Sequence, residues 1–174
     1  MRQSGLKILK KGQRGFTLLE LIVVVALMGL IGLGASAATV QVMTQGQKNS
    51  NYVAASRETN NVMYWISRDA QMAQTVQTTG QSGFPLTLSW TNWDNSQHVA
   101  VYSITGDQLK RSYSINGAAS TITLVGQYIS TATGKTTCQF ADKVLSLKVT
   151  ATIGSGTHAI TVAQSAEIGP RPGI

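Results

Sequence analysis

Residues 21–47 contain no charged side chain, and residues 21–38 are almost wholly apolar. At 1.5 Å of rise per helical residue, this run has about the 20 residues needed to cross a bilayer core. Glu20 stands at its head. A charge at the centre of a membrane helix costs roughly 2.5–3.5 kcal/mol on insertion scales. The run therefore points to a membrane, and the carboxylate before it needs a reason.

The charge distribution supplies the orientation. The chain has 174 residues and a formal net charge of +7, with 14 basic and 7 acidic residues. Arg2, Lys7, Lys10, Lys11 and Arg14 all precede Phe16, with no acid among them, so nine basic residues face seven acidic ones in the remainder. A basic flank before an apolar helix is the cytoplasmic side expected from the positive-inside rule. The basicity belongs to this leader, which removes most of the support for nucleic-acid binding. Cys138 is the only cysteine. An intrachain disulfide is therefore impossible and a zinc cluster is absent. The residue reads as a small core side chain, with a reactive thiol as the alternative.

Helical spacing continues beyond the apolar run. Val62, Ile66, Ala70 and Ala73 recur at steps of three and four, while Arg57, Glu58, Arg68 and Asp69 alternate in sign as on a partly solvated face. One long helix is predicted over residues 16–77, loosened near residues 46–51. Gly29, Gly32 and Gly34 lie in its apolar half. They fit either ordinary membrane-helix glycine usage or close packing with another helix. From residue 80 the pattern changes to strands, predicted at 86–91, 99–105, 108–115, 121–129, 144–153 and 159–163. Gly106-Asp107 turns a hairpin between the second and third. Leu145, Leu147, Val149, Ala151 and Ile153 alternate with polar residues, so one face of that strand is buried. The tail at 169–173 is expected to be loose.

Catalytic and ligand-binding patterns are absent. There is no P-loop, dinucleotide fingerprint, nucleophile elbow, zinc-protease or EF-hand motif, so no enzyme, cofactor or metal is expected. Asp94, Asp107, Asp142 and Glu167 are too scattered for a calcium cage. His98 and His158 are expected at strand edges. Trp65, Trp90 and Trp93 are expected to serve packing in the core or an interface.

Two readings of the N-terminus remain. Ala35-Ser36-Ala37 fits an ordinary signal peptide cut after Ala37, which would release a secreted β-domain binding carbohydrate or another ligand, with Trp90 and Trp93 as contacts. Against it stand Glu20 and the helical periodicity that continues past Ala38. The second reading comes from Gly15-Phe16-Thr17-Leu18-Leu19-Glu20, which resembles the processing motif of type IV prepilins and type II secretion pseudopilins. That resemblance implies a cut between Gly15 and Phe16 by a prepilin peptidase, with methylation of the new Phe16 amine. Two further stretches are similar to J-type minor pseudopilins: Trp65-Ile66-Ser67-Arg68-Asp69-Ala70, and Val101-Tyr102-Ser103-Ile104 followed by Leu109-Lys110-Arg111. Ala37 stands where many pilin helices carry a proline, and the cysteine pair of major pilins is missing.

The resemblance implies an α+β, pilin-like fold in which a long N-terminal helix packs on an antiparallel β-sheet domain. Its parts would be a leader over 1–15, a transmembrane and assembly helix over 16–45, an amphipathic second half over 46–79, a β-rich extracytoplasmic domain over 80–168 and a tail over 169–174. The expected role is structural: a minor subunit of a type II secretion pseudopilus or a type IV pilus-like filament, serving secretion, DNA uptake or attachment. It would be a single-pass protein of the bacterial cytoplasmic membrane with its N-terminus inside. Its partners would be the peptidase, other pilin or pseudopilin subunits, and a platform protein with a separate ATPase. Within this frame Glu20 pairs with the Phe16 amine of a neighbouring subunit, or else serves as a passive helix cap.

Overall fold

A computed structural model of the protein describes residues 15–171. The expectations for the leader through Arg14 and for the end of the tail concern residues outside these. One helix, α1 (Leu18–Met72), precedes eight strands: β1 (Thr75–Thr78), β2 (Leu86–Thr91), β3 (Gln97–Thr105), β4 (Gln108–Ile115), β5 (Thr121–Gly126), β6 (Thr137–Ala141), β7 (Val144–Ile153) and β8 (Ile160–Ile168). The strands form an antiparallel five-stranded sheet in the order β1-β2-β3-β4-β5 and an antiparallel three-stranded sheet in the order β6-β7-β8. The chain divides between Met43 and Thr44 into two compact units.

In the second unit α1 buries one stripe. Ala55, Thr59, Val62, Ile66, Asp69 and Ala70 recur at three- and four-residue steps and are all buried. They meet Leu86, Leu88 and Trp90 of β2, Ala100 and Tyr102 of β3, Leu109 of β4, and Leu145, Leu147, Val149 and Ala151 of β7 in one core. Period-2 alternation sends those strand residues to the same face. Fully burying a large aliphatic side chain there contributes about 1.5–3 kcal/mol.

Polar side chains of the helix fix where it lies on the strands. Asn51 Nδ2 donates to the His158 carbonyl at 3.0 Å, Asn61 Nδ2 to the Val125 carbonyl at 2.6 Å, and the Gln127 N–H to Glu58 Oε2 at 2.8 Å. The two sheets are joined at two points. Ile129 bridges to Ala151 of β7 and donates its N–H to the Asp107 carbonyl, and Cys138 N–H bonds the Ser82 carbonyl. At the second point Gly83 (φ +80°) passes so close to the Cys138 carbonyl that a Cβ would lie 1.6 Å from its oxygen. Only glycine can make that approach.

The structure departs from the sequence expectations at several places. The helix ends at Met72, not near residue 77, because Thr75–Thr78 pairs with β2. It runs unbroken through residues 46–51. The strand expected over 121–129 stops at Gly126, and the one expected over 159–163 extends to Ile168. Strand β6 was not expected at all.

Candidate functional site

The described part of the motif is the start of α1. Thr17 lies just outside the helix, and its Oγ1 accepts the Glu20 N–H at 3.3 Å, while Leu21 N–H bonds the Thr17 carbonyl. Thr17 is thus the N-cap residue and Glu20 occupies the third helical position. Thr-x-x-Glu is the sequence signature of a capping box. That signal is legible in the sequence, inside the Gly-Phe-Thr-Leu-Leu-Glu stretch. A carboxylate in the first turn also interacts favourably with the helix dipole. Gly15 and Phe16 precede the cap in non-helical conformation, and Phe16 is 78% exposed.

The apolar half of α1 that follows is long and apolar enough to cross a membrane, and none of its best 18-residue window is buried by other parts of the chain. Two hydroxyl side chains in this stretch bond back along the helix: Ser36 Oγ donates to the Gly32 carbonyl and Thr39 Oγ1 to the Ala35 carbonyl, each at 2.9 Å. No hydroxyl of this pair is left to seek water, which suits a lipid surrounding. At 100° per residue Gly29 and Gly32 share one face of the helix, whereas Gly34 points to another. A Cβ at any of the three would meet only open space within this chain.

A second constellation lies where α1 crosses the five-stranded sheet. Asp69, with no exposed surface, sits in the core rather than on the solvated face expected from its charged neighbours. Its Oδ2 accepts from Arg111 Nε and from the Tyr102 hydroxyl, each at 2.6 Å; its Oδ1 accepts from the Arg68 guanidinium at 3.1 Å. The register that pairs Tyr102 with Arg111 across β3 and β4 presents both to the helix. The guanidinium of Arg68 lies 4.2 Å from the centre of the Trp65 ring, and that of Arg111 lies 4.2 Å from the centre of the Tyr113 ring. Burial and the bond to Asp69 push the Tyr102 hydroxyl pKa up. For Arg111 burial works against the charge, but the hydrogen bond and charge of Asp69 outweigh it and raise its pKa. Such a cluster is a structural clamp: every buried side-chain polar atom among the described residues is satisfied.

The remaining singled-out residues separate. His98 is buried within the central strand β3, in a three-ring cluster with Trp90 and Tyr113, and not at a sheet edge. His158 lies in a short 3-10 turn, Gly156–His158. Trp90 is buried and Trp65 packs on the core, but Trp93 is 97% exposed, so of the two expected packing roles the core does not apply to it. A burial difference this large leaves Trp90 and Trp93 unable to form one carbohydrate platform. Among the described residues no group of acids, histidines and cysteine could hold a metal ion.

Cys138 is buried in the core, and burial pushes its thiol up to about 12. A thiol whose folded pKa exceeds its unfolded one holds its proton longer when folded. Stability therefore declines as pH climbs from the unfolded value towards the folded one, and is unaffected by this group below that range. We expect the native chain to resist a thiol-reactive dye at pH 8 and to react fully in denaturant, with the denaturation midpoint falling only above about pH 9. Rapid labelling of the native chain would contradict the buried placement.

A family model described as the prokaryotic N-terminal methylation motif matches residues 10–36, a stretch that includes Gly15, Phe16 and Glu20. No curated protein and no solved structure matches the chain. The motif implies processing by a prepilin peptidase and assembly with other pilin subunits, and with the exposed apolar helix it fits an anchor in the inner membrane. Proteins of this kind are typically structural rather than enzymatic. The methylation motif, the long apolar helix behind it and the antiparallel β-domain together support a type IV pilin-like or pseudopilin family for this chain.

Proposed function

We propose that the chain is a minor structural subunit of a type II secretion pseudopilus or a related type IV pilus-like filament. The observation that carries this reading is the Gly15-Phe16 pair set immediately before a capped, lipid-compatible helix with Glu20 in its first turn. The leader over residues 1–15 is removed by cleavage between Gly15 and Phe16, and the Phe16 amine is methylated. Residues 16–45 then hold the subunit in the cytoplasmic membrane, N-terminus inside, until it enters the filament. Residues 46–79 support the extracytoplasmic β-domain over 80–168, with residues 169–174 as its tail.

Assembly follows from charge. The new amine has an unperturbed pKa near 7.7–8.0 and carries a positive charge at neutral pH. In hydrocarbon both this ammonium and the Glu20 carboxylate are costly alone, and each relieves the other when a neighbouring subunit brings them together. Gly29 and Gly32, sharing a face, let a second helix approach closely there; Gly34 serves a different neighbour. A platform protein and a separate ATPase drive the process. The J-type minor assignment is supported by Asp69, Tyr102 and Arg111, which belong to the two J-like stretches and meet in the core.

Mass spectrometry of the membrane-extracted protein tests the reading. The expected mature N-terminus is N-methylphenylalanine at Phe16, lost in Gly15→Val. A mature start at Ala38 would support the signal-peptide reading instead.

A further inference from the structure

The solvent-facing side of α1 in the second unit carries an unbalanced charge; at its flanks Asn60 accepts from the Gln164 amide of β8 and Asn61 donates to the Val125 carbonyl of β5. Val53, Arg57, Asn60, Asn61, Tyr64 and Arg68 fall within about 100° of one another at 100° per residue. Val53 is 58% and Tyr64 61% exposed, and the Arg68 side chain is 40% exposed. No carboxylate lies in this stripe. The two acids of the same helical stretch face elsewhere: Asp69 is buried beneath two guanidiniums, leaving one positive charge in excess, and Glu58 is bonded to the Gln127 N–H. Arg68 is laid against the Trp65 ring, with Tyr64 edge-on to that ring, so its guanidinium is held in place at the surface.

The shape of this face matches a helix. A shallow groove is lined by Tyr52, Val53, Ser56, Arg57, Asn60 and Asn61. These are two adjacent rows at four-residue steps, Tyr52-Ser56-Asn60 and Val53-Arg57-Asn61, the kind of groove into which the ridge of a second helix packs. A second copy that faces this stripe with its own brings no acid to it. Laid parallel in register, Arg57 meets Arg57; laid antiparallel about the middle of the stripe, Arg57 meets Arg68. Either arrangement opposes like charges, which is destabilising.

We propose that this stripe receives an amphipathic helix of a different subunit, one presenting carboxylates to Arg57 and Arg68. Those two positions are 11 residues apart, or about 16 Å along the helix. The partner therefore carries acids about three turns apart, with apolar or small residues between them to meet Tyr64 and Val53. Two arginines this far apart, one of them flat on an indole, make a poor anchor for a lipid surface, which favours clustered basic residues. The inference deepens the subunit reading, since it states what a neighbouring subunit must present.

The test uses the full chain in cells that assemble the filament. A photo-crosslinking amino acid replaces Tyr64, and in a control Ser112 on the far face of the five-stranded sheet, and crosslinked peptides are sequenced. The expected product at Tyr64 joins a helical segment of another pilin-like chain with Asp or Glu within a turn or two of the crosslinked residue. Arg57→Glu should lower that yield at least fivefold while leaving Cys138 protected from labelling, Arg57→Lys should retain most of it, and reversing the partner's acid should restore it. The proposal is overturned by a crosslink to a second copy of this chain, to an acid-free segment or to lipid alone, or by a Tyr64 yield no higher than that of Ser112. The N-terminus of the same samples separates the two ideas. A methylated Phe16 with a failed crosslink sinks only the partner surface, whereas an unprocessed or Ala38 start sinks the subunit reading.

Discussion

Glu20→Ala should be cleaved and methylated normally yet enter filaments about a hundredfold less well than the parent. Alanine costs nothing in lipid, so insertion of the monomer is not impaired. What the substitution strands is the ammonium of the neighbouring subunit, at roughly 2.5–3.5 kcal/mol. Each 1.4 kcal/mol is a factor of ten in an equilibrium constant, which sets the hundredfold scale. Glu20→Gln separates pairing from capping. Glutamine also fits the third position of a capping box, so a residue acting only as a cap would tolerate it. Pairing requires the charge, and Gln should then assemble almost as poorly as Ala. The measurement is the share of processed chain found in sheared filaments against that left in membranes. Assembly of either variant at parental levels would remove the pairing.

Asp69→Ala should destabilise the β-bearing unit by about 3–5 kcal/mol, the usual cost of removing one partner of a buried ion pair. Arg111, whose side chain is 8% exposed, and the Tyr102 hydroxyl would be left in the core without their acceptor. A thermal midpoint lower by on the order of 10 °C is expected in circular dichroism of the full chain in detergent. Removing both charges with Asp69→Ala and Arg111→Met should recover part of the loss, because the stranded cation goes with its partner. A single Asp69→Ala chain within about 1 kcal/mol of the parent, judged against ordinary surface substitutions, would show that the clamp carries little weight.

The membrane helix, the β3–β4 hairpin and the alternation of β7 could be read from local pattern because each is settled by neighbours in sequence. The end of the helix could not. Val76 continues the spacing of Ile66, Ala70 and Ala73, and what stops the helix is pairing of Thr75–Thr78 with β2, a contact made ten or so residues on. Strand β6 was hidden for a similar reason: only Cys138 of its five residues is buried, so it shows no hydrophobic period. Asp69 misled most. Beside Arg68 it reads as surface charge, and the arginine that brings it inside is 42 positions away. The resemblance to J-type stretches singled out Asp69, Tyr102 and Arg111, but without the fold it gave no reason for them to meet. At the N-terminus the motif and the Thr-x-x-Glu signature of the cap were both legible in the sequence, and the Thr17–Glu20 bond shows that signature in use.

That cap changes how maturation can be viewed. The residues that start the helix, Thr17 as acceptor and Glu20 as third helical residue, both lie on the mature side of the proposed scissile bond. Cutting there removes none of the hydrogen bonds that define the first turn. The product therefore needs no conformational search before it can engage a neighbour. Under the proposed cleavage, a flank with five basic side chains gives way to a single ammonium close to a carboxylate already set in the first helical turn.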